Sequence, residues 1–215
     1  MLQPVALGAD PAGHWILMAG PSASLTQNMA LELQHLIVKF PVDGPLGLDP
    51  AKVVDLFHKW VATQSVPGVL LVDVAELLHV PDGPGVIAVG HEADFALDNQ
   101  RGVWGVLHRR KTVLPGSNAE RVAEAFRAAG QAAVLIEEAF PGAIRFSRTG
   151  FELIVNDRGI APNTPETLAA AVPEIMTAVS ALLGHDSFDI ARTGLDARER
   201  FSVSVKSARP FQLGG

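Results

Sequence analysis

Residues 73–98 hold six carboxylates (Asp73, Glu76, Asp82, Glu92, Asp94 and Asp98), two histidines (His79 and His91) and no Lys or Arg. Ten residues further on stands His108, followed by Arg109, Arg110 and Lys111. Carboxylates and imidazoles ligate divalent metals and move protons near neutral pH, so this is the stretch in which chemistry is first sought. A solvated sheet face explains the same residues, because Arg101, Arg109, Arg110 and Lys111 offset the acids just downstream. Strand register separates the two explanations.

A turn at Pro81-Asp82-Gly83-Pro84-Gly85, centred on Gly83, sets His79 against Ile87 and His91 against Ala75. The two rings are then roughly 13 Å apart at ~3.3 Å per residue, too far to share one metal. A second turn over residues 99–101 sets His108 against Ala93 and Arg109 against Glu92. One face would collect Leu71, Asp73, Ala75, His91, Ala93, Phe95, Leu97, Trp104, Val106 and His108, the other Glu76, Glu92, Asp94, Asp98 and Arg109. Apolar and charged residues separate under this registration, and a slip of one residue would flip a whole strand. It predicts that Asp73, His91 and His108 meet as direct or diagonal neighbours within roughly 5 to 8 Å. Such a cluster suits either a catalytic acid–base pair or a divalent metal with open positions.

Gly83 and Gly85 mark a second candidate, a turn whose exposed amides would cradle an anion. Pro84 removes one donor and no P-loop Lys-Ser/Thr follows, so a rigid turn is the better expectation. Gly90, just before His91-Glu92, marks either a bulge that re-aims His91 or a point where crowding is relieved. His91-Glu92 is not a zincin motif, because Phe95 stands where its second histidine would be. No serine lies in a G-x-S-x-G elbow, and there is neither Cys nor Tyr, which removes thiolate and phenolic chemistry. His79, His58 and His185 are assigned to a turn, an exposed helix face and a helix end, and Trp60 to the core.

Three helices are needed to back these strands. The first is announced by Asp49-Pro50 and by Val53, Val54, Leu56, Phe57, Trp60 and Val61 at helical spacing, ending near Gln64. Ser117-Asn118-Ala119-Glu120 reads as a capping box for a second, with Val122, Ala125, Phe126, Ala129, Ala133, Ile136 and Phe140 as its stripe before Pro141-Gly142. A third runs from Thr164-Pro165 to Gly184, and its interior Pro173 predicts a kink or two consecutive helices. Period-two segments are read at residues 36–40, 69–74, 86–98, 103–108, 144–148, 151–155, 188–192 and 201–206. A helix-plus-hairpin unit would recur at 117–156 and 164–206. The predicted fold class is α+β, a largely antiparallel sheet of about seven to eight strands with three main helices packed on one face.

The 215 residues suffice for one domain, assigned to residues 29–215, with residues 1–28 as a loosely held N-terminal extension. Hydrophobic residues make up 48% and charged residues 19%, the balance of a globular chain. With 17 basic and 23 acidic side chains the net charge is −6, which argues against nucleic acid as a partner. The apolar run at residues 14–19 is far below the ~20 residues of a membrane span, and the first basic residue is Lys39, so neither a membrane nor an export signal is expected and the protein is assigned to the cytoplasm.

Val72-Asp73-Val74-Ala75, His79-Val80-Pro81-Asp82-Gly83-Pro84-Gly85-Val86, Gly90-His91-Glu92 and Leu97-Asp98 resemble a pattern of a family of uncharacterised bacterial proteins of about this size. Asn156-Asp157-Arg158 and Ala161-Pro162-Asn163-Thr164 extend the resemblance, which covers residues 29–206 and implies no activity, cofactor or catalytic residue. Two functions follow from the residues themselves. The preferred one is a binding or assembly module that meets another copy or a protein partner. The alternative is an enzyme acting on a small molecule through Asp73, His91 and His108, either by acid–base chemistry or with a divalent metal as cofactor.

Overall fold

The computed structural model describes residues 31–194 and 196–214, together with the backbone of Ala6–Ala9 (β1) and Trp15–Met18 (β2). Those two short strands pair antiparallel in a small sheet of their own. The expectation of a loose extension otherwise concerns residues outside those described.

The main sheet is built from Leu36–Pro41 (β3), Leu71–Leu77 (β4), Gly85–Gly90 (β5), Ala93–Asp98 (β6), Gly105–Arg110 (β7), Gly150–Val155 (β8), Phe188–Arg192 (β9) and Ser202–Ser207 (β10). Its spatial order is β4-β5-β6-β7-β3-β8-β10-β9, and every pairing is antiparallel. Lys52–Thr63 (α1), Asn118–Ala139 (α2) and Pro165–Leu183 (α3) complete the α+β architecture. Leu36, Val38 and Phe40 of β3, and Phe151, Leu153 and Val155 of β8, alternate into the core shared with the helices. Ile37, Ala96, Leu107 and Ile154 form a separate small apolar cluster on the opposite face. Period-two alternation thus sends each strand's residues to a helix-covered face and a helix-free face.

The helix signals hold locally. Ser117 and Glu120 make both halves of the capping box, and Thr164 caps α3, with Pro165 at its start and Gly184 left-handed at its end. At α1 the Asp49 side chain instead caps a preceding turn, accepting from Ala51 N at 3.0 Å, and the helix begins at Lys52. Pro173 does not divide α3, which runs unbroken from Pro165 to Leu183. A proline removes one donor in the middle of a helix, and the long apolar face packed against α2 holds the turns on either side. By length and composition alone α3 could cross a bilayer, yet in this fold Leu168, Ala171, Val172, Ile175 and Val179 lie in the core.

Three strand expectations are corrected. Residues 86–98 are two strands, β5 and β6, reversed at the exposed pair His91-Glu92. Residues 144–148 form no strand; Phe146 makes an isolated bridge to Val42, and β8 pairs instead with β3 and β10. Without that hairpin the expected unit at 117–156 is not formed, since α2 is followed by the single strand β8, whereas α3 is followed by the paired β9 and β10.

Candidate functional site

The registration assumed from the two turns is not the one adopted. In β4 and β5, Ala75 pairs with Ile87, and in β6 and β7, His108 pairs with Phe95 and Arg109 with Asp94. A bulge between Leu71 and Asp73 adds one residue to β4. Leu71 therefore stays in the core, whereas Asp73 pairs with Val89, on the face that carries Ile87 and Ala96. His108, opposite Phe95 and Val38, points into the helix-covered core. His91 is exposed in the β5–β6 turn, where its amide donates to the Leu70 carbonyl at 3.0 Å. Asp73, His91 and His108 are thus not brought together, and among the described residues no three His, Asp or Glu side chains are grouped to hold a metal.

His108 is fully buried and neither ring nitrogen has a hydrogen-bond partner. Its ring packs on Phe95 with centroids 5.3 Å apart. Burial, reinforced by the Arg110 guanidinium, pushes its pKa down to about 3. The ring is a neutral core residue at physiological pH.

The Gly83–Gly85 turn is likewise a packing device. The Gly83 amide donates to the Val80 carbonyl at 3.1 Å, and the Gly83 carbonyl accepts from Asn99 N at 3.2 Å. A Cβ on Gly83 would come within 2.8 Å of Val80, and one on Gly85, whose φ is +65°, would run into the Leu97 carbonyl. Close backbone approach explains both glycines, and the amide proposed to hold an anion at Gly83 is already used.

The helix-free face is where charge and concavity coincide. Lys39 on β3 and Asp98 on β6 form an ion pair at 2.5 Å, both buried, and Lys39 Nζ also donates to the Val103 carbonyl at 2.7 Å. Asp98 accepts in addition from Gln100 N at 3.2 Å. Together these bonds pin the 99–104 loop over the sheet. Asp94 accepts from Arg109 Nη2 at 2.5 Å, Lys111 Nζ at 2.8 Å and Gly90 N at 3.1 Å. Burial works to raise the Asp94 carboxyl, but the bonds from Lys111, Arg109 and Gly90 outweigh it and hold it below the ordinary value.

Beside this loop lies a recess of about 560 Å³ lined by Gln100, Arg101, Asn156, Arg158, Arg198, Glu199 and Arg200. Four guanidiniums against one carboxylate is a marked local excess in a chain of net charge −6. Arg101 pairs with Glu152 at 2.9 Å and Arg198 with Asp196 at 2.8 Å. Arg200 meets neutral oxygens instead, donating to Asn156 Oδ1 at 3.1 Å and Gln100 Oε1 at 3.0 Å. Arg158 donates to the Arg198 carbonyl at 2.7 Å. Among the described residues neither has a carboxylate within ion-pair distance. Burial, then the like charge of Arg109, lowers the pKa of Arg200 from its ordinary value, with Arg101 adding to the effect and the carboxylates of Asp98 and Glu152 working against it. Arg101 itself sits at φ +62°, a conformation uncommon outside glycine.

A second recess, of about 410 Å³, adjoins the first and shares Gln100 and Arg101 with it. Its walls include Pro41, Val103, Gly150, Glu152, Thr193 and Lys206. Thr193 Oγ1 donates to Glu152 Oε1 at 2.7 Å, so this carboxylate is held by both Arg101 and Thr193.

Sequence reasoning missed this site because its members come from residues 100–101, 156–158 and 198–200, which no spacing rule connects. The only local trace was the density of arginine in Asp196-Ala197-Arg198-Glu199-Arg200. No protein-family model matches the chain, and neither a curated protein nor a solved structure does so.

Proposed function

We propose that this protein is a non-enzymatic binding module whose ligand is a small anion, held on the helix-free face by Arg158 and Arg200. The observation that carries the proposal is the Arg200 guanidinium, half-buried at the wall of the arginine-lined recess and hydrogen-bonded only to neutral amide oxygens, with the carboxylates of Asp98 and Glu152 committed to Lys39 and Arg101. Removing a cation from water is unfavourable, and an anion supplied from outside restores the missing charge. Because Gln100 and Asn156 already orient the group, little ordering is required on binding.

The alternative of a metal-dependent or acid–base enzyme loses its proposed centre with Asp73 and His108 on opposite faces. Assembly through the exposed β4 edge is disfavoured by the bulge at Val72 and by the exposed Asp73 and Glu76, features that blunt edge pairing. The test is a thermal-shift screen of small carboxylates, phosphates, amines and neutral compounds at fixed ionic strength. The expected outcome is stabilisation by anions that is abolished in Arg158→Gln and Arg200→Gln. Equal responses across the four classes, or anion stabilisation that survives both substitutions, would defeat the proposal.

A further inference from the structure

The geometry points to an amphipathic ligand, an organic anion whose charged head sits between Arg158 and Arg200 while an apolar body lies in the neighbouring recess against Pro41 and Val103. This deepens the anion-binding proposal and rests on it.

The two recesses are not independent features of the surface. Gln100 and Arg101 line both, so a single molecule can reach from one recess into the other across these two residues. That loop is fixed from below by Lys39, which donates to the Val103 carbonyl and is neutralised by Asp98. The wall that the two recesses share is therefore held in place. The volumes, about 410 and 560 Å³, fall within the range of sites for compact organic molecules and exceed what a lone inorganic ion needs.

Electrostatics decide which end goes where. In the first recess Glu152 contributes a carboxylate, Lys39 is consumed by Asp98, and Lys206 stands across the ladder from Asp189. An anionic head placed there would meet Glu152 and find no uncommitted buried cation. In the second recess the one carboxylate, Glu199, is outnumbered by guanidiniums, and the head meets Arg200 and Arg158, whose hydrogen-bond partners among the described residues are neutral. Val103, half exposed at 50%, is an apolar side chain presented at the mouth of the first recess. An apolar body covering it removes that surface from water, which favours binding in proportion to the area covered.

The dye 8-anilinonaphthalene-1-sulfonate serves as a probe with a sulfonate head and an aromatic body, and N-phenyl-1-naphthylamine as its uncharged counterpart. Fluorescence titration of the full chain is expected to give one saturable sulfonate-dye site. Arg200→Gln should weaken it at least tenfold, and Arg158→Gln, at an exposed position, severalfold. Both variants should leave the neutral dye within twofold of its original affinity. Val103→Asp should weaken both dyes tenfold. Sulfonate-dye binding that changes less than twofold in both arginine variants overturns the inference, as does dye binding indifferent to Val103→Asp. Inorganic pyrophosphate separates the two levels of the proposal. Arginine-dependent stabilisation by pyrophosphate without dye binding would leave the anion site standing and remove the apolar body; failure of both probes would remove both.

Discussion

Asp73 and His108 project from opposite faces of the same sheet, Asp73 paired with Val89 on the helix-free side and His108 paired with Phe95 in the helix-covered core. Their separation makes them independent in stability. Asp73→Asn and His91→Ala, both at exposed positions, are expected to shift unfolding free energy by no more than about 0.5 kcal/mol in urea titrations. Zinc should not raise the melting temperature of the parent chain relative to the His91→Ala variant.

His108 predicts a pH dependence with a definite sign. Its folded pKa, about 3, lies below the ordinary 6.5, so the unfolded chain binds a proton in that interval and the folded chain does not. Stability contributed by the neutral ring is present above pH 6.5 and declines as pH falls toward 3, with a slope of up to about 1.4 kcal/mol per pH unit. His108→Leu removes this slope and also removes a buried group with two unpartnered nitrogens. The variant should be about 1 kcal/mol more stable than the parent at pH 7, and its advantage should grow at pH 5.5 and again at pH 4.5. A gap that stays constant over that range contradicts the assignment.

The Lys39–Asp98 pair couples sheet stability to the loop above it. Asp98→Asn or Lys39→Met alone leaves one buried charge uncompensated and should reduce stability by about 3–5 kcal/mol. Lys39→Met combined with Asp98→Leu should recover more than half of that loss. Amide exchange at residues 100–103 would report the second consequence, faster exchange in Lys39→Met, because the bond to the Val103 carbonyl is gone.

Gly90 predicts a steric penalty. A Cβ there would collide with the Ala93 carbonyl and approach Val69 Cγ1 to 2.8 Å. Gly90→Ala should lower stability by about 1–3 kcal/mol. Gly150→Ala, where the nearest atom outside the adjacent residues is the Val205 carbonyl at 3.4 Å, should be far milder, and equal losses in the two variants would refute the contact.

Glu92 shows why the site of the β5–β6 reversal was hidden. Hydrophobic alternation continues from Val86 through Asp98 with no Asn-Gly or Asp-Gly to interrupt it, and His91-Glu92 is an unusual two-residue turn. Distant partners hold it in place, since the Glu92 carbonyl accepts from Lys111 N at 2.8 Å and the His91 amide donates to Leu70. The register of β6 with β7 is set separately by the 99–104 loop, which is longer than a turn over residues 99–101 and brings His108 opposite Phe95 rather than Ala93. The bulge in β4 then turns Asp73 out of the core face.

What the sequence determined by itself was whatever is decided within a few residues: the Ser117–Glu120 box, the left-handed Gly184, the apolar stripes of the helices and the alternation of β3, β8 and β10. Each depends on hydrogen bonds or periodicity internal to one segment. Tertiary structure alone decided the register of β4 to β7, the burial of His108 and the convergence of Arg101, Arg158, Arg198 and Arg200. Those outcomes are set by backbone partners and packing surfaces as much as a hundred residues away, as Arg200 and Gln100 illustrate. Side-chain spacing along the chain does not encode such pairings.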